Sequence, residues 1–315
     1  MTSLKILFIG VIIAVIVGGV AAAFWQYATP IQPSGPVTVT DDLGRTVTLT
    51  SYPPERIVSL APSTTEILFA LGLGDKVVGV DTYSDYPPEA ADIEPKVGGF
   101  ANINIEVVVG LEPDLVLATG GVQEKFVERL EELGITVIAL SPQDMEDILN
   151  DIILVGEATG REEAAEKLVE ELRQRIAAIT EKTEAIPREE RPKVYYEVWH
   201  DPLMSAGPGS FAHSLIELAG GVNIFEDAAT KYPEVSLETV LSRNPDVIII
   251  TPPDAPMPGV SPEELKARPG WSEIEAVKND RIYQIHPDLL SRPGPRIVNG
   301  LEALAKAIHP ELFEQ

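Results

Sequence analysis

The chain of 315 residues contains no cysteine. Disulfide bonds, thiolate metal sites, a cysteine nucleophile and a lipid-modified N-terminal cysteine are therefore excluded. Histidine is scarce as well, and the few that occur are scattered along the chain: His200, His213, His286 and His309. A zinc or manganese site needs clustered ligands, so the sequence predicts no metal site.

Basic residues are also in deficit, with 24 Lys and Arg against 49 Asp and Glu, so the formal net charge is −25. This acidity disfavours nucleic acid and anionic membrane surfaces as partners, and it favours a basic partner or simple solubility. Catalytic motifs are missing too, because no nucleophile elbow, metal motif or dinucleotide-binding glycine fingerprint is present. The sequence therefore predicts neither catalytic residues nor a nucleic-acid partner.

A long hydrophobic run lies at the N-terminus, where Ile6–Trp25 carries no charge and follows Lys5. At about 1.5 Å per residue this run spans roughly 30 Å, the hydrocarbon thickness of a bilayer. It predicts an uncleaved membrane anchor over residues 1–27, and the alternative is a signal peptide that is cut near Ala21–Ala23. Because the positive end stays in the cytoplasm, both alternatives export the remainder of the chain, which begins with a polar linker over 28–36.

The exported part alternates strand-like and helix-like segments. Apolar and polar residues alternate around "DDLG" over residues 37–50, which predicts a β-hairpin. Short apolar strands then alternate with amphipathic helices, beginning with "RIVSLAP" and "STTEILFALGLG". Ser63 and Glu66 have capping-box spacing at the start of this first helix. Such alternation predicts parallel sheets that are covered by helices.

The alternation is interrupted once. From Gly160 to Pro187, apolar residues recur at helical spacing and no strand follows until "KVYYEV". We therefore predict an α/β fold with two Rossmann-like lobes, residues 37–160 and 188–315, each with a central parallel-type sheet. One long backbone helix over 161–187 joins the lobes and limits how far they can swing.

One segment occurs twice at an offset of 132 residues. It reads "NIEVVVGLEPDLVLAT" at 104–119 and "SLETVLSRNPDVIIIT" at 236–251. Each copy predicts a short helix that ends before a proline, followed by a strand. The repeat therefore predicts one such unit in each lobe.

Each copy carries a glutamate at the same place. Asn104 and Ser236 are good N-caps, so Glu106 and Glu238 fall in the first helical turn. A carboxylate there complements the helix dipole by about 0.3–1 kcal/mol, which is a purely structural explanation. The alternative is a pair of exposed carboxylates, one on each lobe, that contact arginines of a two-fold symmetric partner.

Several segments resemble the helical-backbone substrate-binding proteins of ABC importers, which serve iron siderophores, haem and cobalamin. The cobalamin-binding members are resembled most in the segments "DTYSDYPPEA", "INIEVVVGLEPDLVLATGG", "YPEVSLETVL" and "SRPGPRIV". The resemblance extends from Val37 to nearly the C-terminus. It implies an extracytoplasmic protein with no catalysis and no cofactor, which holds its ligand between two lobes. The implied partner is a dimeric ABC permease with its ATPase subunits.

The resemblance also implies which residues bind the ligand, here cobalamin or a related corrinoid. Aromatic side chains that pack against the corrin ring correspond to Tyr83, Phe100 and Tyr232. Polar groups at its amide rim correspond to Asp288 and Arg292. A broad, flat ligand suits aromatic faces, and an Asp/Arg pair can hydrogen-bond amides in either direction.

Glu106 and Glu238 match the glutamates with which the two lobes of such proteins dock on permease arginines. The repeat thereby acquires a functional explanation, because matched carboxylates on two lobes suit a two-fold partner. Charge pairs of this kind set register and association rate more than affinity.

Alternatives remain open at this point. A haem or ferric siderophore receptor of the same family would use Tyr83 or Tyr232 on iron, or Arg292 and Arg296 on an anion, although a charge of −25 attracts anions poorly. A membrane-tethered sensor without a permease is a further possibility. The tyrosines are alternatively packed loop aromatics, and Asp288 with Arg292 alternatively an exposed ion pair of little energetic value.

Overall fold

The computed structural model of the protein describes residues 36–257 and 259–313. The predicted anchor or signal over residues 1–27 and nearly all of the linker over 28–36 lie outside these residues. Within them, no helix has the length and apolar character to cross a bilayer.

The first lobe begins with the predicted hairpin, in which β1 (Val37–Thr40) pairs with β2 (Thr46–Leu49) in antiparallel register. A parallel sheet follows with the strand order β4-β3-β7-β8. Its strands are β3 (Ile57–Ser59), β4 (Val77–Val80), β7 (Leu115–Thr119) and β8 (Val137–Leu140). Between β4 and β7 in the sequence, β5 (Gly98–Gly99) and β6 (Asn102–Ile103) form a small two-stranded sheet. The helices are α1 (Pro62–Ala70), α2 (Pro88–Ala91), α3 (Ile105–Gly110), α4 (Glu124–Glu132) and α5 (Met145–Thr159).

The predicted capping box at the start of α1 is wrong. The N-cap is Ala61, and no side chain caps the helix. Pro62 occupies the first turn, where its missing N–H leaves no hydrogen bond unmade. Ser63 and Glu66 lie inside the helix and are buried, so Glu66 is available for a contact with the other lobe.

The long helix predicted between the lobes is α6 (Glu162–Thr183), and it packs along α5, a helix that the sequence analysis did not predict. The two helices approach closely at Gly156, where a Cβ would lie 2.4 Å from the Ala165 Cβ. Only glycine fits that contact. The pair of helices makes a broader connection than a single helix.

The second lobe has a mixed sheet with the strand order β10-β9-β12-β13, and a short strand β11 also pairs with β9. The parallel strands are β9 (Lys193–His200), β11 (Val222–Asn223), β12 (Val247–Ile250) and β13 (Ile282–Gln284), and the antiparallel one is β10 (Leu203–Ser205). The helices are α7 (Phe211–Leu218), α8 (Leu237–Arg243), α9 (Pro262–Lys266), α10 (Glu275–Lys278), α11 (Asp288–Ser291), α12 (Ile297–Ile308) and α13 (Pro310–Phe313).

One continuous hydrophobic core runs through both lobes. It includes Leu117 of the first sheet, Ile152 and Leu172 of the connecting helices, Ile249 of the second sheet and Leu304 of α12. Apolar burial contributes about 25 cal/mol per Å² and is lost wherever packed elements separate. The shared core therefore resists changes in the spacing of the lobes.

Candidate functional site

The two copies of the repeated segment have the same local structure. Asn104 caps α3 by accepting a hydrogen bond from the Val107 N–H at 3.2 Å, and Ser236 caps α8 by accepting one from the Thr239 N–H at 3.1 Å. A residue with positive φ follows the end of each helix. It is Glu112, with φ of 47°, in the first lobe and its counterpart Asn244, with φ of 45°, in the second. The sequence repeat is therefore a repeat of backbone conformation.

The aspartate of each copy ties the unit to the neighbouring strand. Asp114 Oδ2 accepts hydrogen bonds from the N–H groups of Glu55 and Arg56, at 2.9 and 3.0 Å, just before β3. Asp246 Oδ2 accepts one from the Lys193 N–H at 2.8 Å, at the start of β9. Asp114 thus positions β7 beside β3, and Asp246 positions β12 beside β9.

Both copies begin at the carboxyl edge of their sheets. Asn104 N donates to Val97 O at 2.8 Å, and Val97 N donates to Val80 O, at the end of β4, at 2.9 Å. In the second lobe Val235 N donates to Leu203 O at 2.8 Å, beside the turn that follows β9. Ligands of α/β proteins bind outside this edge of the sheet. The first helical turn of each copy therefore lies near the carboxyl edge of its own sheet.

Glu106 and Glu238 are both exposed, and neither forms an ion pair within the residues that the structure describes. Each lobe thus presents a carboxylate without an ion pair in the first turn of a short helix.

Two aromatic side chains of the first lobe, Tyr83 and Phe100, form what we call the aromatic wall; they are 56% and 36% exposed. Tyr83 N donates to the buried Asp81 carboxylate at 3.0 Å. The Tyr83 ring lies against Gly99, where an added Cβ would be 3.5 Å from it. Tyr83 is therefore exposed but held in place, because a hydrogen bond fixes its backbone and its ring packs against Gly99.

Phe100 is held by a residue that the sequence analysis did not single out. The side chain of Gln123 is buried, and its Nε2 donates both to Phe100 O at 3.0 Å and to Leu60 O at 2.8 Å. Gln123 Oε1 accepts from the Thr119 N–H at 2.9 Å. Gln123 thereby fixes the aromatic wall relative to the ends of the central strands.

A group of charged side chains, the charge cluster, joins the lobes. Arg292, which follows α11 in the second lobe, contacts Asp288 through Nη2 at 2.9 Å. It reaches the first lobe through Nη1 to Asp85 Oδ1 at 2.7 Å and through Nη2 to Tyr83 O at 3.4 Å. Its Nη1 is also 3.7 Å from Glu66 Oε1. Two predicted site residues, Asp288 and Arg292, thus meet a third, Tyr83, across the boundary between the lobes.

Arg296 completes the charge cluster. Its Nη2 donates to Glu66 Oε1 at 2.6 Å, and its guanidinium lies 3.8 Å from the centre of the Tyr86 ring, a cation–π contact. The Glu66 side chain is 2% exposed, and its Oε2 is buried without a hydrogen-bond partner among the described residues.

The Asp288 and Arg292 side chains are only 14% and 13% exposed, so the alternative of an exposed ion pair is wrong. Burial raises the pKa of Asp288, and the neighbouring Arg292 charge opposes that shift. In the charge cluster three carboxylates, Glu66, Asp85 and Asp288, face two guanidinium groups, so its formal charge is 2 − 3 = −1.

Tyr232 lies on the second lobe and is 44% exposed. Its neighbours hold it, because Gly207 N donates to Lys231 O at 2.9 Å and Ser205 N donates to Pro233 O at 3.0 Å. Within the described residues, no hydrogen bond, ion pair or ring contact joins Tyr232 to the other predicted ligand-binding residues. The described part of the chain also contains no group of three or more His, Asp or Glu side chains arranged to hold a metal ion.

Two α/β lobes with a shared core, an exposed aromatic wall and matched carboxylates define a two-lobed solute-binding protein. The chain belongs to the periplasmic binding protein family, whose sequence profile matches residues 57–289. This confirms the family resemblance seen in the sequence. Proteins of this family bind solutes for transport, so the chain is a binding protein and not an enzyme.

Three relatives illustrate the similarity. An uncharacterized ABC transporter substrate-binding lipoprotein of Bacillus subtilis (strain 168) is 38% identical over 285 residues, 89% of this chain and 88% of the relative. The structure of a periplasmic vitamin B12-binding protein of Vibrio cholerae has a TM-score of 0.69 and 32% identity, and covers 84% of this chain and 99% of that one. The structure of a periplasmic heme-binding protein of Roseiflexus sp. RS-1 has a TM-score of 0.71 and 28% identity, with 82% and 99% covered. The chain is thus a substrate-binding protein of an ABC transporter, which works with a membrane permease and an ATPase, in the group that serves vitamin B12, siderophores and haem.

Proposed function

We propose that the chain captures cobalamin or a related corrinoid between its lobes, outside the cytoplasm, and delivers it to a dimeric ABC permease. The observation that carries this proposal is that exposed aromatic side chains occur together with two arginines, Arg292 and Arg296, whose charges are already neutralised by carboxylates. Tyr83, Phe100 and Tyr232 offer apolar area to a broad, flat ligand. Arg292 donates hydrogen bonds to Asp85 and to the Tyr83 carbonyl and forms an ion pair with Asp288. A guanidinium has five N–H donors, so donors remain for an amide oxygen.

Charge favours a largely neutral ligand. The charge cluster carries a formal −1, and the chain as a whole carries −25. An anionic ferric siderophore or a haem with its carboxylates meets no unpaired cation there, which costs affinity. Haem remains the second candidate because a heme-binding protein is among the similar structures and because the exposed Tyr83 side chain is a potential iron ligand.

We also propose the attachment and docking roles of the remaining predicted residues. Residues 1–27 serve as a membrane anchor or export signal, in keeping with the lipoprotein name of the Bacillus relative. This chain has no cysteine for a lipid, so a hydrophobic segment is the anchor available to it. Glu106 and Glu238, exposed and free of ion pairs among the described residues, dock on arginines of the permease.

Binding measured on the full-length chain in mild detergent tests the ligand. Cyanocobalamin, haem and a ferric siderophore are each titrated while tryptophan fluorescence or heat is followed. We expect cyanocobalamin to bind below about 10 μM, corresponding to roughly −7 kcal/mol, and to bind tighter than the other two. Tight binding of haem or the siderophore without cyanocobalamin binding would overturn the ligand and leave the family unaffected.

Substitutions locate the binding surface in the same assay. Tyr83→Ala and Phe100→Ala each remove aromatic area, and we expect each to weaken cyanocobalamin binding about tenfold. The matched control is Leu133→Ala, an exposed apolar side chain that follows α4 at the opposite edge of the sheet. It is expected to bind as the wild type does.

A further inference from the structure

Asp85 is the most exposed of the three carboxylates in the charge cluster. Its side chain is 49% exposed, whereas those of Glu66 and Asp288 are 2% and 14% exposed. Asp85 lies on the loop between β4 and α2, two residues after Tyr83 of the aromatic wall. A ligand that approaches the charge cluster therefore meets the Asp85 carboxylate before the other two.

The ion pair of Asp85 with Arg292 lies next to the aromatic wall. Arg292 Nη1 donates to Asp85 Oδ1 at 2.7 Å, and Nη2 of the same guanidinium donates to Tyr83 O at 3.4 Å. Pro293, the residue after Arg292, lines one cavity together with Phe100. A flat ligand that packs on Tyr83 and Phe100 therefore has this ion pair within reach of its rim.

Hydrogen bonds within the loop hold Asp85 in this place. The buried Asp81 carboxylate accepts hydrogen bonds from the Tyr83 N–H at 3.0 Å and from the Ser84 hydroxyl. The Ser84 hydroxyl is also 2.7 Å from the Thr65 hydroxyl of α1, and the Ser84 side chain is buried. Asp85, the next residue, is therefore an exposed carboxylate on a backbone that is tied to the first lobe.

The charge of Asp85 discriminates between ligand groups that hydrogen-bond to Arg292. With Asp85 the charge cluster has a formal charge of 2 − 3 = −1, and without it the charge would be 2 − 2 = 0. A ligand carboxylate on Arg292 Nη1 would lie about 4 Å from the Asp85 carboxylate, and the two negative charges would repel each other. An amide oxygen carries no net charge and can accept from a remaining N–H of the guanidinium.

We propose that Asp85 is a specificity-determining residue, whose negative charge beside Arg292 excludes ligands with a carboxylate at this position. The inference rests on the proposed function, because it takes the aromatic wall and the charge cluster as the two sides of the ligand site. It goes beyond that function by assigning the selection against anions to one residue of the first lobe.

Two flat probes of different charge test this role with the full-length chain in mild detergent. One is cyanocobalamin, whose corrin rim carries neutral amides, and the other is hemin, whose porphyrin carries two carboxylates. Asp85→Asn keeps the shape of the side chain and removes its charge. We expect the ratio of hemin affinity to cyanocobalamin affinity to rise about tenfold in this variant, because Arg292 is then less neutralised.

Two further variants separate the charge of Asp85 from other effects. Asp85→Glu retains the charge and should return the ratio toward the wild-type value. Asp92→Asn is the matched control, because Asp92 is an exposed carboxylate that follows α2 in the same lobe and the net charge changes by the same amount. The ratio should be that of the wild type. An equal rise in Asp92→Asn would show that overall charge, and not Asp85, sets the selectivity.

The outcomes distinguish this inference from the proposed function. If the wild type binds hemin and no corrinoid, the proposed ligand fails, while tighter hemin binding by Asp85→Asn would still support the role of Asp85. If the wild type binds cyanocobalamin and the folded Asp85→Asn variant has an unchanged ratio, only the role of Asp85 fails. If no variant binds either probe, both fail. Thermal melting of each variant establishes that it is folded.

Discussion

The repeated segment of the first lobe and its copy in the second lobe are alike where their short helix begins and differ where that helix ends. At the end where the helix begins, both have a capping side chain and an exposed glutamate. At the end where the helix stops, Arg56, which lies just before β3, donates a hydrogen bond to Leu111 O in the first lobe. The counterpart of Leu111 in the second lobe is Arg243, which forms a two-pronged ion pair with Asp227 at 2.6 and 2.9 Å. Each lobe thus supports the same helix start in its own way.

The two sides of the boundary between the lobes differ far more than the two copies do. The first lobe contributes the aromatic wall of Tyr83 and Phe100, whereas the second contributes Asp288, Arg292 and Arg296 with a single exposed tyrosine. A two-fold partner needs matched surfaces, and a ligand without two-fold symmetry needs unlike walls. Under the proposed docking and ligand-binding roles, this difference accounts for a repeat that is confined to the surface carrying Glu106 and Glu238.

The largest effect is expected from reversing the charge of both glutamates. Glu106→Arg combined with Glu238→Arg should abolish uptake of labelled cobalamin by cells that also express the permease and ATPase, because like charges then face the permease. Cyanocobalamin affinity of the purified variant should stay within about twofold of the wild type, since neither glutamate contacts the aromatic wall or the charge cluster.

A control of equal charge change is available for this reversal. Glu128→Arg with Glu263→Arg alters one exposed carboxylate in each lobe outside the repeated segments, and uptake should persist. Unchanged uptake by the Glu106/Glu238 variant would remove the docking role. Binding without any permease-dependent uptake by the wild type would favour a tethered sensor.

The next largest effect, a loss of stability, is expected at the charge cluster, to which the two lobes contribute different residues. Glu66→Ala leaves the largely buried Arg296 without its carboxylate, and breaking a buried ion pair costs about 3–5 kcal/mol. The free energy of unfolding in urea measures this loss. Glu302→Ala is the comparison, because its pair with Arg175 is about one-third exposed and should contribute about 1 kcal/mol or less. Equal losses would show that the charge cluster is no more important than a surface pair.

A smaller, pH-dependent effect is expected from Asp151, a buried carboxyl group on α5. The pKa of Asp151 is about 9 in the fold, raised by burial and by the nearby Asp42 and Asp147, against about 3.9 in an unfolded chain. The folded chain therefore retains a proton that the unfolded chain releases, so stability falls as pH rises from about 4 to about 9, by at most about 1.4 kcal/mol per pH unit.

Asp151→Asn cannot ionise, so its free energy of unfolding should fall less steeply with pH than that of the wild type. We expect its advantage to grow by up to about 4 kcal/mol between pH 5 and pH 8, as measured by urea unfolding at a series of pH values. Glu157→Gln, on the same helix, should follow the wild type. Parallel curves for Asp151→Asn and the wild type would show that Asp151 is ionised in the fold.

The smallest effect compares the two copies directly. Asp114 accepts two backbone hydrogen bonds and Asp246 accepts one, and each contributes about 0.5–1.5 kcal/mol. Asp114→Ala should therefore destabilise the chain by about 1 kcal/mol more than Asp246→Ala does in urea unfolding. A reversed order would mean that the two aspartates are not equivalent anchors.

Patterns that are local in the sequence were sufficient to predict most elements. The hairpin, the parallel strands, the long helix and both repeated units follow from periodicity, capping residues and prolines within about twenty residues. The exceptions are α5 and several short elements, which we did not predict: β5, β6, β10, β11, α2, α9, α10, α11 and α13. The predicted capping box at Ser63 and Glu66 was wrong because a spacing of three residues fits a helix start and a helix interior equally well. The contact of Glu66 with Arg296, far away in the sequence, is not visible in that spacing.

The sequence by itself determined the repeated unit, because that unit depends on short-range pattern. Its resemblance to a known family determined the class of protein and the proposed ligand-binding residues. The tertiary structure alone decided that Arg292 and Arg296 reach across to Asp85 and Glu66, and that Gln123 holds Phe100. It also decided that the Asp151 carboxyl is buried next to Asp42. These contacts join residues far apart in the chain, and their energies depend on burial, which no local pattern specifies.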